Sequence, residues 1–183
     1  MSEGIVVVAY DDAWPAIFAE VGVRLRREIG DTAQRIDHIG STAVIGLDAK
    51  PIVDIQISVA SFEPLDAFRA PIERAGFIHR PDNPERTKRY FRERPGERRT
   101  HIHVRRAGSF SEQFSLLFRE FLRSHPDHAQ KYAELKRRLA KQYSSPEQRS
   151  DYVEAKTPFI WHTIHLAAEW AQSTGWEPPL SDC

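Results

Sequence analysis

Two short segments, residues 35–40 and 52–59, alternate apolar and polar residues as a strand with one buried face does. In the second segment every odd-numbered residue is Val or Ile, whereas Asp54 and Gln56 share the opposite face. Such a pattern requires a sheet that packs a core on one side and carries polar groups on the other. A carboxylate therefore lies on the polar face of a predicted internal strand.

The remaining segments alternate between helical and strand-like spacing. Apolar residues recur every three or four positions in the helical segments, and they alternate in the strand segments. The predicted helices cover residues 14–29, 64–75 and three segments between Ser109 and Trp170, and the further strands cover residues 77–79, 89–92 and 100–105. This order predicts an α+β fold, a mixed β-sheet with flanking helices followed by a C-terminal helical portion.

The element order divides the chain near residue 108. We expect residues 1–108 to form the α+β core and residues 109–172 to form a helical portion that packs on it as one compact unit. Residues 173–183, with Pro178-Pro179, are expected to be a frayed tail.

Composition excludes several classes of protein. The chain has 26 basic and 26 acidic residues, which argues against a general polyanion binder, so we do not expect nucleic acid as a partner. An RNA-binding alternative rests only on the basic cluster at residues 86–106. No segment is apolar enough for a membrane span or a signal peptide, so we expect a cytoplasmic protein. The only cysteine, Cys183, leaves no intramolecular disulfide, and the oligomeric state stays open.

Residues 38–56, HIGSTAVIGLDAKPIVDIQ, combine groups that suit a phosphate. Gly40 lets the backbone approach an anion closely, and Ser41 and Thr42 add hydroxyl donors to exposed amides. Lys50 would neutralise a phosphate or a substrate carboxylate, and Asp54 would hold a divalent cation beside it. His38, directly before the turn, is a further candidate binding residue.

A second group of candidates lies in the strand THIHVRR. His101 and His103 are two residues apart, so both imidazoles face the same way and can converge on one ligand. Together with Asp54 they would form a three-ligand set that suits manganese, iron, nickel or zinc better than magnesium. These three residues are our candidate catalytic and metal-binding groups.

The turn, Gly-Ser followed by an Asp between hydrophobic residues, resembles the signature of the nucleotidyltransferase superfamily. The longer series HIGSTAV, GL, AKPIVDI, HIHV, FREFLRSHP and YAELKRRLA, with Tyr152 and Lys156, resembles the GrpB family over about residues 6–171. The resemblance implies a nucleotidyltransferase-like fold whose turn holds a nucleoside triphosphate and whose acids bind two metal ions. It also implies substrate-binding roles for Arg119, Lys136, Tyr152 and Lys156.

One position departs from the superfamily pattern, because Gln56 stands where a second carboxylate is expected. Two-metal chemistry needs clustered negative charge, which a neutral amide does not supply. Our hypothesis is a GrpB-family protein that binds a nucleotide or another anionic small molecule and catalyses metal-dependent group transfer to an unknown acceptor. The cofactor would be Mg or Mn, or a transition metal if the histidines ligate. The alternatives are a catalytically inactive binding module and an enzyme that joins an acid to an amine.

Overall fold

The computed structural model describes residues 4–183. At its centre is a five-stranded sheet in the order β1-β2-β5-β4-β3. Neighbouring strands are antiparallel except for β2 and β5, which run parallel. The strands are β1 (Arg35–Ile39), β2 (Val53–Val59), β3 (Phe77–His79), β4 (Arg89–Glu93) and β5 (Thr100–Arg106). The sheet is thus mixed, and β2 and β5 occupy its interior.

The described residues also form five α-helices. They are α1 (Trp14–Ile29), α2 (Asp66–Arg74), α3 (Phe110–Ser124), α4 (Pro126–Gln142) and α5 (Arg149–Thr174). Helix α3 begins where the sequence predicts, because the Ser109 side chain accepts a hydrogen bond from the Glu112 amide. Together with the mixed sheet, these helices confirm the predicted α+β class and the C-terminal helical portion.

The apolar face of the sheet packs against α1 and α2. The odd-numbered residues of β2 are at most 2% exposed and join Phe18 and Leu25 of α1 and Phe68 of α2 in one cluster. Burying each such side chain contributes about 1.5–3 kcal/mol. This core fixes the register of β2, because a one-residue slip would turn Asp54 into it.

The polar face of the sheet is covered by the C-terminal helices. Gln56 and Ser58 are fully buried although both are polar, since α3 packs over that end of the sheet. A second apolar cluster joins α3 and α4 to the loop after β1, through Leu122, Ala133 and Leu47. At the other end of β2, around Asp54, the helices leave a pocket open.

The tail does not fray as the sequence suggested. Residues 179–183 lie along β1: the amide of Cys183 donates to the carbonyl of Ile36 at 3.1 Å, and the amide of His38 donates to Asp182 Oδ2 at 2.9 Å. The expectation is wrong for this segment because the outer edge of β1 has unpaired backbone groups that the tail satisfies.

None of the helices formed by residues 4–183 combines the length and the apolar character that crossing a bilayer requires.

Candidate anion and metal site

The turn after β1 is shaped by its close approach to Asp54. Gly40 has φ 73° and ψ −171°, a conformation that is essentially restricted to glycine. A Cβ on Gly40 would lie 2.8 Å from Asp54 Oδ2, because Ile39 pairs with Asp54 across β1 and β2. Glycine is therefore required here for its backbone angles and for the space it leaves to the carboxylate.

Asp54 meets both histidines of β5. His103 Nε2 lies 3.0 Å and His101 Nδ1 lies 3.3 Å from Asp54 Oδ1. His101 is directly beside Asp54 in the parallel ladder, and His103 is the diagonal neighbour. His101, which pairs with Asp54, therefore uses Nδ1, the ring nitrogen closer to its own backbone. His103, one pleat further along β5, uses Nε2, the ring nitrogen farther from its backbone. The three donor atoms lie within 4.8 Å of one another.

The electrostatics of this cluster favour an ionised carboxylate. Burial by itself would raise the pKa of Asp54, but hydrogen bonds from His101 and His103 outweigh it, and the pKa is lowered. Burial lowers the pKa of His103 although Asp54 opposes that shift. The cluster is thus an anionic carboxylate that accepts from two imidazoles.

A pocket of about 250 Å³ opens between this cluster and helices α4 and α5. Its volume suits a phosphate or a short polyphosphate, so the remainder of a larger ligand would extend outside. The lining residues come from the turn, β2, β5 and both helices. They are Gly40, Ser41, Thr42, Ala49, Lys50, Ile52, Asp54, His101, Tyr132, Lys136, Arg149, Tyr152 and Lys156.

Lys136 connects α4 to the turn. Its ammonium donates to Ser41 Oγ at 2.9 Å and to the carbonyl of Asp48, and the residue is only 3% exposed. Burial, with Lys156 as the next contribution, lowers the pKa of Lys136 to about 7. The side chain is thereby held at the turn, next to Ser41. The Thr42 hydroxyl, which the sequence also assigns to phosphate, is instead buried and lies 3.0 Å from His38 Nε2 and 3.3 Å from the carbonyl of Ile52.

Lys50 and Lys156 lie against one buried tyrosine. Each Nζ is 4.6 Å from the centroid of the Tyr152 ring, and that ring is fully buried. Burial lowers the pKa of each lysine to about 8, and in Lys50 the charge of Lys156 contributes further. Among residues 4–183 neither lysine forms an ion pair, so their charges are available to a ligand.

Two predicted binding residues lie outside the pocket. His38 pairs with Ile55, so its ring is on the core face, where it stacks on Phe18 at a centroid distance of 4.9 Å. The side chain of Arg119 is 0% exposed and donates to the carbonyl of His38 and to Asp182. His38 Nε2 also lies 3.0 Å from Thr42 Oγ1, so both residues hold the turn from the side away from the pocket.

The structure adds two pocket residues with charged or aromatic side chains that the sequence did not single out. Arg149 is the first residue of α5, and no motif marks it. Tyr132 falls within the apolar stripe of α4, a pattern that indicates core packing. Its ring stacks on Phe159, and Lys136 Nζ lies 4.6 Å from its centroid. Only the packing of α4 and α5 over the sheet brings them to Asp54.

The donor set does not fit a pair of magnesium ions. Gln56 follows Asp54 on the same face, but its amide donates to the carbonyl of Glu112 at 3.4 Å and it is fully buried. The other carboxylate on this face, Asp37, is held by Arg35 through two hydrogen bonds of 2.8 and 3.0 Å. In the described chain Asp54 is thus the one acid of the sheet available to the pocket.

These features define a class: an α+β protein with a five-stranded mixed sheet, a glycine-serine turn and a cationic pocket beside one aspartate. Residues 4–165 match the family described as GrpB protein, and the chain belongs to the GrpB family.

Similar proteins agree with this assignment. The crystal structure of the conserved protein GrpB from Enterococcus faecalis superposes with a TM-score of 0.81 and 30% identity, covering 91% of this chain and 99% of that one. YqkA of Bacillus subtilis is 32% identical over 91% of the chain, and a dephospho-CoA kinase of Mycolicibacterium paratuberculosis is 34% identical over 94%. The chain spans about half the length of these two relatives.

Proposed function

We propose that the pocket binds the phosphate groups of a nucleotide or of a similar anionic small molecule, and that the protein transfers a group from this ligand to an acceptor. The observation that carries the proposal is the concentration of Lys50, Lys136, Arg149 and Lys156 around the Gly40 turn. Asp54 is the one carboxylate among the lining residues described above, and it is occupied by two imidazoles. An anion would offset this excess of positive charge.

Each element of the pocket would have a separate task. Ser41 and the amides of the turn would hold one phosphate, since small hydroxyl groups and exposed N–H groups suit its oxygens. Lys50 and Lys156 would neutralise a second anionic group above Tyr152. Lys136 would lie between these two anionic groups and contact both, because it already donates to Ser41 Oγ at the turn.

The relatives leave the ligand open. One of them is a dephospho-CoA kinase, but this chain spans about half of that protein and lacks the Gly-x-x-x-x-Gly-Lys-Ser/Thr loop of P-loop kinases. Kinase activity is therefore not part of the proposal.

A binding module without catalysis is the second candidate. Gln56 favours it, because the amide replaces the second motif acid and is committed to Glu112. The two candidates differ in turnover: a module would bind the ligand without consuming it.

Tripolyphosphate and the four nucleoside triphosphates, titrated in the presence of a chelator, test the binding step. We expect Lys156→Met to weaken binding about 10-fold to 100-fold, since one charge-assisted contact contributes about 1.5–3 kcal/mol. Lys141→Met is the matched control, because this exposed lysine lies on α4 away from the pocket. Equal affinities of the two variants, or no binding by the parent protein, would contradict the proposal.

Anion binding should weaken as the pH rises. The pKa values of Lys136, Lys50 and Lys156 lie at about 7, 8 and 8, so these groups lose their charge between about pH 6 and pH 9 in the free protein. The other charged groups that act on them are Asp48, Asp54, Arg99, Arg137 and Arg149. A bound anion favours the protonated lysines, so binding near pH 8 should take up protons.

Calorimetry in buffers of different ionisation enthalpy measures that uptake. The Lys156→Met variant should take up fewer protons than the parent, and Lys141→Met should match the parent. Proton release on binding, or an affinity that rises with pH, would be the opposite of the expected result.

A further inference from the structure

We propose that Asp54, His101 and His103 bind a single divalent transition-metal ion, in place of the magnesium pair that the fold family implies. This inference does not rest on the proposed function, because it concerns the protein and the metal alone. It starts from the disagreement between the donor set and two-magnesium chemistry: one available carboxylate and two imidazoles.

The spacing of the donors fits one ion. Bonds of about 2.0–2.2 Å around a tetrahedral or octahedral ion place neighbouring donors about 2.9–3.5 Å apart. Asp54 Oδ1 lies 3.0 Å from His103 Nε2 and 3.3 Å from His101 Nδ1. The third pair, His101 Nδ1 and His103 Nε2, lies within 4.8 Å, so the three donors converge on one position.

The choice of donors determines the type of metal. Imidazole nitrogen suits zinc, nickel, copper and iron, whereas magnesium prefers oxygen ligands and retains its waters. Affinity at a mixed nitrogen and oxygen site rises from manganese to copper along the first-row series. We therefore expect zinc, nickel and cobalt to bind much more tightly than magnesium.

The cluster is incompletely satisfied by protein groups. Two ring nitrogens, His101 Nε2 and His103 Nδ1, are buried and have no hydrogen-bond partner in the described part of the protein. The metal would bind the other two nitrogens, His101 Nδ1 and His103 Nε2, which face Asp54. Each neutral ring would then carry its proton on the nitrogen that is now unpaired. Tyr90 packs beside both imidazoles at centroid distances of 5.5 and 5.3 Å and restricts their rotation.

The position of the cluster indicates a site with free coordination positions. Three protein donors leave at least one position open, as in catalytic metal sites and unlike closed structural sites. Asp54 and His101 also line the pocket. The open position would therefore face the cationic side chains that line the pocket.

The test uses the full chain after treatment with a chelator and its removal. Cobalt, zinc, nickel and magnesium ions are titrated separately by calorimetry, and cobalt binding is followed by its visible absorption. One cobalt ion per chain with absorption bands of nitrogen coordination is expected, together with an affinity at least about 100-fold above that for magnesium.

Variants locate the ion. His101→Gln and His103→Gln should each lower cobalt affinity at least about 10-fold and alter the absorption bands, since each removes a donor. His165→Gln is the matched control, because this histidine on α5 is 80% exposed. Circular dichroism of each metal-free variant verifies that it folds.

Three results would contradict the metal-site proposal. Equal affinity for cobalt and magnesium, or unchanged cobalt binding in both histidine variants, would overturn the proposal. If a histidine variant fails to fold, the stoichiometry and the absorption bands of the parent protein decide: absorption of a cobalt ion with oxygen ligands only would also overturn it. Polyphosphate binding in chelator is independent of all these results, so the two proposals can fail separately.

Discussion

Replacement of Gly40 by alanine should lower the free energy of unfolding by about 3–5 kcal/mol and abolish the metal binding that we propose at Asp54. The first contribution is backbone strain, since the conformation at φ 73° and ψ −171° costs a residue with a Cβ about 1–3 kcal/mol. The second is a collision, because the new Cβ would lie 2.8 Å from Asp54 Oδ2 and 3.2 Å from Asp54 Cβ. The carboxylate must move, and His101 and His103 then lose their partner.

Gly30 supplies the control. It also has a positive φ and an extended ψ, 60° and −141°, but a Cβ there would meet no atom within 4 Å. Gly30→Ala should therefore show the strain alone, about 1–3 kcal/mol, with unchanged metal binding. Denaturant unfolding and cobalt titration of both variants measure the difference. Equal destabilisation, or normal cobalt affinity in Gly40→Ala, would mean that the close approach to Asp54 has no consequence.

The local patterns of the sequence predicted the fold well. Period-two alternation located β2 and β5, and spacing by three or four located the helices, because both periodicities follow directly from which face is buried. The order of the strands was not predictable in the same way. That β2 lies parallel to β5 depends on the whole chain, and this pairing alone places His101 beside Asp54.

The site shows where sequence reasoning is limited. Alternation in β1 places Asp37 and Ile39 on the face opposite to His38, and the register with β2 then assigns His38 to the core face. A sequence motif records only that His38 directly precedes the turn. It does not record on which face of the sheet the His38 side chain lies. The motif therefore predicts a binding role for His38, whereas in the structure its ring lies against Phe18 on the core face.

The role of Arg119 also could not be predicted from local sequence, because its partner Asp182 is distant in the chain. An arginine that recurs in a family resemblance is consistent with anion binding, but its partners are fixed by tertiary structure. Asp182 is 63 residues away, in a segment whose sequence suggests a frayed tail. The side chain of Arg119 joins α3 to β1 and to that tail, so it is predicted here to stabilise the fold.

Arg119→Met should accordingly lower the free energy of unfolding by about 3–5 kcal/mol, because it leaves a carboxylate and a carbonyl without their buried partner. The guanidinium donates to the carbonyl of His38 at 2.7 Å, to Asp182 at 2.6 Å and to Glu120 at 2.8 Å, and its side chain is 0% exposed. The matched control is Arg123→Met, one turn further along α3. Its side chain donates to the carbonyl of Ala43 at 3.0 Å and to Glu120 at 2.9 Å, but it is 36% exposed, so the expected loss is about 1 kcal/mol.

Ligand titration separates this role from the one that the family resemblance implies. A residue that stabilises the turn from behind changes the fraction of folded protein, whereas a residue that contacts the anion changes affinity at full folding. We expect the folded fraction of Arg119→Met to bind tripolyphosphate within about 3-fold of the parent protein, well below the 10-fold or greater loss for a charge-assisted contact. A large loss of affinity with unchanged stability would instead return Arg119 to the pocket.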